Sequence, residues 1–158
     1  MGYTHYFGFK KGADIDEYRW ADALSLGKEC IKESGMEIFG ADGTGKPTLT
    51  KKTVYLNGDA SKGEKAETFH LSRANDFYGF CKTSRKPYDI IVCCFLLAFK
   101  KVFGEDFKYV SDGITRGDLR NKKIKAYWAT LPNFVPKVEK EWSAAYKLFN
   151  KAYKKWVA

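Results

Sequence analysis

Ten consecutive residues concentrate the chemistry of this chain: Phe80-Cys81-Lys82-Thr83-Ser84-Arg85-Lys86-Pro87-Tyr88-Asp89. Three cations, two hydroxyls and a carboxylate stand directly before Ile90 to Phe99, a run apolar on every side. A helix apolar all round is a buried one, and this run is too short to cross a bilayer. Pro87 suits its first turn, where the missing N–H would have had no partner. A helix N-terminus presents free N–H groups and a positive dipole end, so the decapeptide is expected to hold an anion, phosphate above all. In that reading Lys82, Arg85 and Lys86 neutralise phosphate, and Thr83 and Ser84 donate hydrogen bonds. Tyr88 or Tyr6 stacks a base, while His5, Asp89 and Asp112 complete the polar set. The plainer account is a basic surface loop capping a core helix.

Other spacings carry less. Gly40 to Lys46 fits G-x-x-x-x-G-K, but the next residue is Pro47, with neither hydroxyl nor N–H, and a strand pattern follows instead of a helix. A turn is the better reading. His70-Leu71-Ser72 matches one half of a two-histidine phosphodiesterase signature, in which paired histidines exchange protons with the attacking and leaving oxygens. The second copy is missing, since His5 is followed by Tyr6-Phe7. The carboxylates Asp89 and Asp112 have ready local explanations, a helix dipole and a turn. Cys30, Cys81, Cys93 and Cys94 form no C-x-x-C pair, and two lie in the apolar helix. They read as reduced, buried thiols of a cytoplasmic protein, with no metal site or cofactor expected.

The elements that must position these residues follow from patterning. At 158 residues, 44 % hydrophobic and 16 % aromatic, the chain can bury one substantial core. The opening alternation Tyr3, His5, Phe7, Phe9 is a strand, not a secretion signal. Asp14 and Glu17 suggest a capping box before a helix with Trp20, Ala23, Leu24, Gly27, Cys30 and Ile31 on one face, closed by Gly35. Strands are expected at Thr48–Leu56, Thr68–Leu71 and Phe107–Val110, with the core helix at about 87–103. The predicted fold class is α+β: an antiparallel sheet in β-α-β-β-α-β order, the split βαβ or ferredoxin-like arrangement, plus a long amphipathic C-terminal helix.

Charge separates the chain into two parts. Residues 1–113, the expected ligand-binding body, hold 17 Lys and Arg against 16 Asp and Glu; residues 114–158 hold 11 against 3. Nearly all of the +9 net charge therefore lies in the last third, as expected for a polyanion partner or a solubilising appendage. There, Ile114 to Ala129 is weakly patterned. Phe134, Val138, Trp142, Ala145, Phe149, Ala152 and Trp156 then form a narrow stripe with near-heptad spacing. That stripe is expected to pack on the body within one structural domain, with self-association or membrane-surface contact as the lesser alternatives.

Three pieces, Gly2-Tyr3-Thr4-His5-Tyr6-Phe7, the decapeptide, and Ser111-Asp112-Gly113, resemble a family of small uncharacterised proteins of tailed bacteriophages and their bacterial hosts. Phe7 stands where members often have tryptophan, His70 is outside the pattern, and the resemblance covers about residues 1–113. It implies an accessory phage protein acting in the host cytoplasm, without an activity to transfer. The first functional expectation is a non-enzymatic binder of a phosphate-bearing nucleotide, possible as a sponge for a host-defence signal. The alternatives are a nucleic-acid binder using the basic C-terminal third, with Tyr127, Trp128, Tyr146 and Tyr153 as stacking groups, and the two-histidine phosphodiesterase. No membrane partner is expected; a homo-oligomer through the C-terminal helix is the remaining possibility.

Overall fold

The computed structural model describes residues 3–74, 78–113 and 115–158; Gly2 of the opening motif and Ile114 lie outside them. The chain is α+β, with two small antiparallel sheets and a long C-terminal helix. In order, the elements are β1 (Thr4–Phe9), α1 (Glu17–Ser34), β2 (Thr48–Leu49), β3 (Thr53–Leu56), β4 (Phe69–Ser72) and β5 (Gly79–Lys82). They are followed by α2 (Asp89–Phe103), β6 (Phe107–Ser111), α3 (Arg116–Arg120), α4 (Lys122–Trp128) and α5 (Lys140–Val157).

The expected β-α-β-β-α-β order is not what forms. One sheet runs β5-β1-β6 and the other β2-β3-β4. Two local causes explain the difference. Within Thr48–Leu56, Thr50 closes a turn: its N–H donates to the Thr53 carbonyl (3.0 Å) and its Oγ1 accepts from the Thr53 N–H (3.1 Å). The expected strand is thereby folded into a hairpin. The first part of the decapeptide, in turn, is a strand and not a loop, because β5 pairs with β1 from Thr4↔Lys82 to Phe7↔Gly79.

β1 is the central strand, antiparallel to both neighbours. Its inward row, His5, Phe7 and Phe9, is buried, and its outward Tyr6 is not. Phe9 meets Trp20 of α1 and Phe99 of α2, while Phe7 reaches Phe69 of the second sheet. α1, α2 and α5 therefore cover one face of β5-β1-β6. α1 begins at an Asp16 cap, whose carboxylate accepts from Arg19 N–H at 2.8 Å, instead of at Asp14. It ends at Gly35 in the left-handed conformation, as its sequence requires. α1 and α2 approach closely at Gly27, where a Cβ would come within 2.6 Å of the Phe95 ring.

α5 packs against both α1 and α2. Trp142, Ala145, Phe149 and Ala152 of the expected stripe are buried, and Tyr146 joins them. Phe134 and Val138 precede the helix. The central members of the stripe are thus consumed within the chain, while Phe134 is 40 % exposed and Val138 and Trp156 are half-buried. Glu33 of α1 anchors the far end through Lys151 (3.2 Å) and Lys155 (2.9 Å). Among the described residues, no helix is long and apolar enough to cross a membrane.

Candidate functional site

Pairing register brings the three motif pieces together. His5 lies directly opposite Ser111 of β6 and Cys81 of β5. Residues opposite one another on adjacent strands share a face, so all three form a row beneath α2. His5 Nδ1 meets Ser111 Oγ at 2.5 Å, and His5 Nε2 meets Asp89 Oδ1 at 2.6 Å. Thr83 Oγ1 donates to the same Asp89 oxygen at 2.5 Å. Cys93, one helical turn after Asp89, places its thiol 3.8 Å from both His5 Nε2 and Asp89 Oδ2. Tyr3 and Trp142 close the histidine between their rings, both edge-on.

The network is sealed: His5, Thr83, Asp89 and Cys93 are all buried. Burial, and next the Asp89 charge, push the Cys93 thiol well above its ordinary pKa. His5, Asp89 and Cys93 offer ligand atoms within 4.8 Å of one another, so they are the residues that could hold a small cation. Their mutual hydrogen bonds already satisfy them, which is the behaviour of a structural network. Its evident work is to pin the Thr83–Lys86 turn. Ser84 and Arg85 are both left-handed there (φ 52° and 57°), a costly conformation for residues other than glycine. Thr83 N–H donates to the Tyr3 carbonyl (2.9 Å) and Lys86 N–H to the Thr83 carbonyl (3.0 Å).

The expected ligand set is consequently divided. His5, Thr83 and Asp89 are spent on one another. Asp89, in the first turn of α2, itself supplies the negative charge that the helix N-terminus favours. Tyr88 is buried, with its hydroxyl donating to the Glu67 carbonyl at 2.5 Å, so it stacks no ligand. Arg85 lies over the Tyr3 ring (4.1 Å) and pairs with Glu141 (2.7 Å) and Glu139 (3.4 Å). Asp112 is exposed, but its carboxylate accepts from Thr4 N–H at 3.0 Å. Lys82 and Ser84 face solvent and Lys86 is half-buried. The histidines belong to different sheets, and His70 stacks on Tyr55 at 4.3 Å, so no two-histidine centre is assembled.

Tyr6 falls on the opposite side of β1, and there the sheet is open. Tyr6 pairs across the strands with Phe80 on β5 and Val110 on β6. The three are 37 %, 62 % and 53 % exposed, and Tyr78 beside them is 57 % exposed. Burial, and next the neighbouring Tyr6, raise the Tyr78 pKa. Lys82, two residues along β5 from Phe80, and Lys108, two along β6 from Val110, are both exposed. Single exposed apolar residues are common on protein surfaces but contiguous ones are not, which sets this row apart from the rest of the sheet. Phe80 opens the decapeptide, yet only the β1–β5 register reveals that it flanks Tyr6. No protein-family model matches the chain, and neither does a curated protein or a solved structure.

Proposed function

We propose that this protein binds single-stranded nucleic acid on the open face of the β5-β1-β6 sheet. The observation that carries the reading is the cross-strand row Phe80–Tyr6–Val110, exposed on the central strand and both its neighbours and flanked by Lys82 and Lys108. Bases stack on such aromatics whatever their identity, and lysines beside them neutralise phosphates. Sheets with helices on one face and exposed aromatics on the other serve RNA-binding modules in this way. Tyr6 and Lys82 keep the roles expected of them, stacking and charge neutralisation, while the buried network braces the strand beneath them. Taken with the phage resemblance of the three motifs, the reading is of an accessory protein acting on nucleic acid in the host cytoplasm.

Fluorescence anisotropy with labelled single-stranded DNA and RNA of about 12 nucleotides tests the reading. Affinity should fall steeply with salt, with a log–log slope of about −0.7 for each phosphate neutralised. Phe80→Ala should weaken binding by about 1–3 kcal/mol, the contribution of one stacked base, with the melting temperature unchanged. Absence of binding at low salt, or wild-type affinity in both Phe80→Ala and Tyr6→Ala, refutes it.

A further inference from the structure

The open sheet face does not end at β6. Lys108 and Val110, its last members, also line a cleft of about 330 Å³ whose far wall is Asn121 and Ile124 of the α3–α4 segment. On the other flank of α4, Lys125, Trp128, Phe134 and Pro136 line a second cleft of about 230 Å³. Its two rings lie 5.9 Å apart and inclined at 46°, so they form a notch instead of a closed stack. Ile124 and Lys125 are consecutive residues of α4, so one short helix lines both clefts.

Charge follows the same path. Lys122, Lys123 and Lys125 are exposed, and among the described residues none lies within 4 Å of a carboxylate. The three acidic residues of the last third all have partners, although Asp118 also lines the first cleft. Asp118 takes part in the Thr115 capping box of α3, while Glu139 and Glu141 hold Arg85. Cations left unpaired around an aromatic notch are the combination by which single strands are held without regard to sequence.

We infer that α4 carries a second nucleic-acid subsite, and that one strand runs from the sheet face over the β6 edge to the Trp128–Phe134 notch. This rests on the sheet-face reading and assigns the basic third its part in it. Of the four aromatics expected there as stacking groups, Trp128 lines the notch and Tyr127 stands exposed beside it. Tyr146 is buried in the core and Tyr153 stacks on Phe149.

Oligonucleotide length separates the two subsites. A strand of roughly 4 nucleotides covers the sheet face alone, and one of about 12 reaches both. Trp128→Ala should weaken the long strand by roughly 5- to 150-fold, one stacked base, and leave the short strand unchanged. Lys125→Glu, which keeps the notch rings, should act in the same direction and lower the salt slope for the long strand only. Phe80→Ala should weaken both lengths. If Trp128→Ala and Lys125→Glu change neither length, or change both equally, the continuous path is overturned while the sheet-face reading stands on Phe80→Ala. If they weaken binding and Phe80→Ala does not, both readings fall together. Circular dichroism melts of each variant confirm that the fold is retained.

Discussion

Trp142 is the side chain on which α5, the core and the histidine network converge, and replacing it gives the most demanding test of the packing. It is wholly buried. Its ring stacks on Tyr109 (5.4 Å), lies tilted against Tyr146 (5.7 Å) and meets His5 edge-on (5.7 Å). Trp142→Ala removes the largest apolar group of α5 and leaves a void that helices on two sides cannot close. About 3–5 kcal/mol should be lost. The indole Nε1, however, has no hydrogen-bond partner among the described residues. A buried, unpartnered N–H costs roughly 1–3 kcal/mol, so removing it offsets part of the lost packing. Trp142→Phe keeps a ring against Tyr109 and deletes that donor, and its net cost should be under about 1.5 kcal/mol. Urea unfolding followed by circular dichroism, compared at equal slope, measures both. A loss below about 1 kcal/mol for Trp142→Ala contradicts the burial. A loss for Trp142→Phe as large as that for Trp142→Ala contradicts the argument that the retained ring and the deleted Nε1 together limit the cost.

Two further outcomes follow from the backbone and from buried acids. Ser84→Gly releases a left-handed residue (φ 52°) and should stabilise by about 0.5–1 kcal/mol in a thermal melt, whereas a loss would mean that the Ser84 side chain holds the turn. Burial pushes Cys81 up to about 12 and raises Cys93, Tyr3, Tyr88 and Tyr109 as well. A group whose folded pKa exceeds its unfolded one stabilises fully below the unfolded value and loses that contribution as pH rises. Stability should thus hold to about pH 9, then fall by about 1.4 kcal/mol per pH unit for each group titrating only in the unfolded chain. Melts between pH 7 and 11 check this, and Cys81→Ala should make the fall shallower.

The elements with strong local signals were legible in the sequence. α2 is apolar on all sides, α1 ends at Gly35, and α5 repeats its stripe over five turns, so periodicity alone places them within a few residues. The losses come where non-local pairing outweighs local pattern. Gly79–Lys82 looks polar enough for a loop and becomes a strand because β1 needs a second partner. α3 and α4 have weak stripes and bury none of their residues, so caps mark them better than hydrophobicity does. Thr115 with Asp118 and Asn121 with Lys123 and Ile124 supply those caps. Ser111 and Cys93 were missed as partners of His5. The spacing Asp89-x-x-x-Cys93 was a usable signal, since residues four apart on a helix share a face. The contact of His5 with Ser111, 106 residues away, has no counterpart in any local period.

The expected ligand set is divided for one physical reason, the two-residue period of a strand. His5 and Tyr6 are consecutive, and both were assigned to a single ligand. Consecutive side chains of a strand point to opposite faces, so they cannot share a site on β1 while that strand is extended. The same rule separates Cys81 from Phe80 and Lys82 on β5, and Ser111 from Val110 on β6. Applied across the three strands, it sorts the motif residues into two layers. Beneath lies the row Cys81, His5 and Ser111, roofed by Asp89 and Cys93; above lies Phe80, Tyr6 and Val110, with Lys82 at its edge. The buried layer has its hydrogen bonds made and no solvent to exchange with. The open layer has aromatic faces without ring partners among the described residues, and cations beside them. The proposed strand therefore meets the second layer, where the chemistry-rich decapeptide presents Phe80 and Lys82, the strand residues at its start.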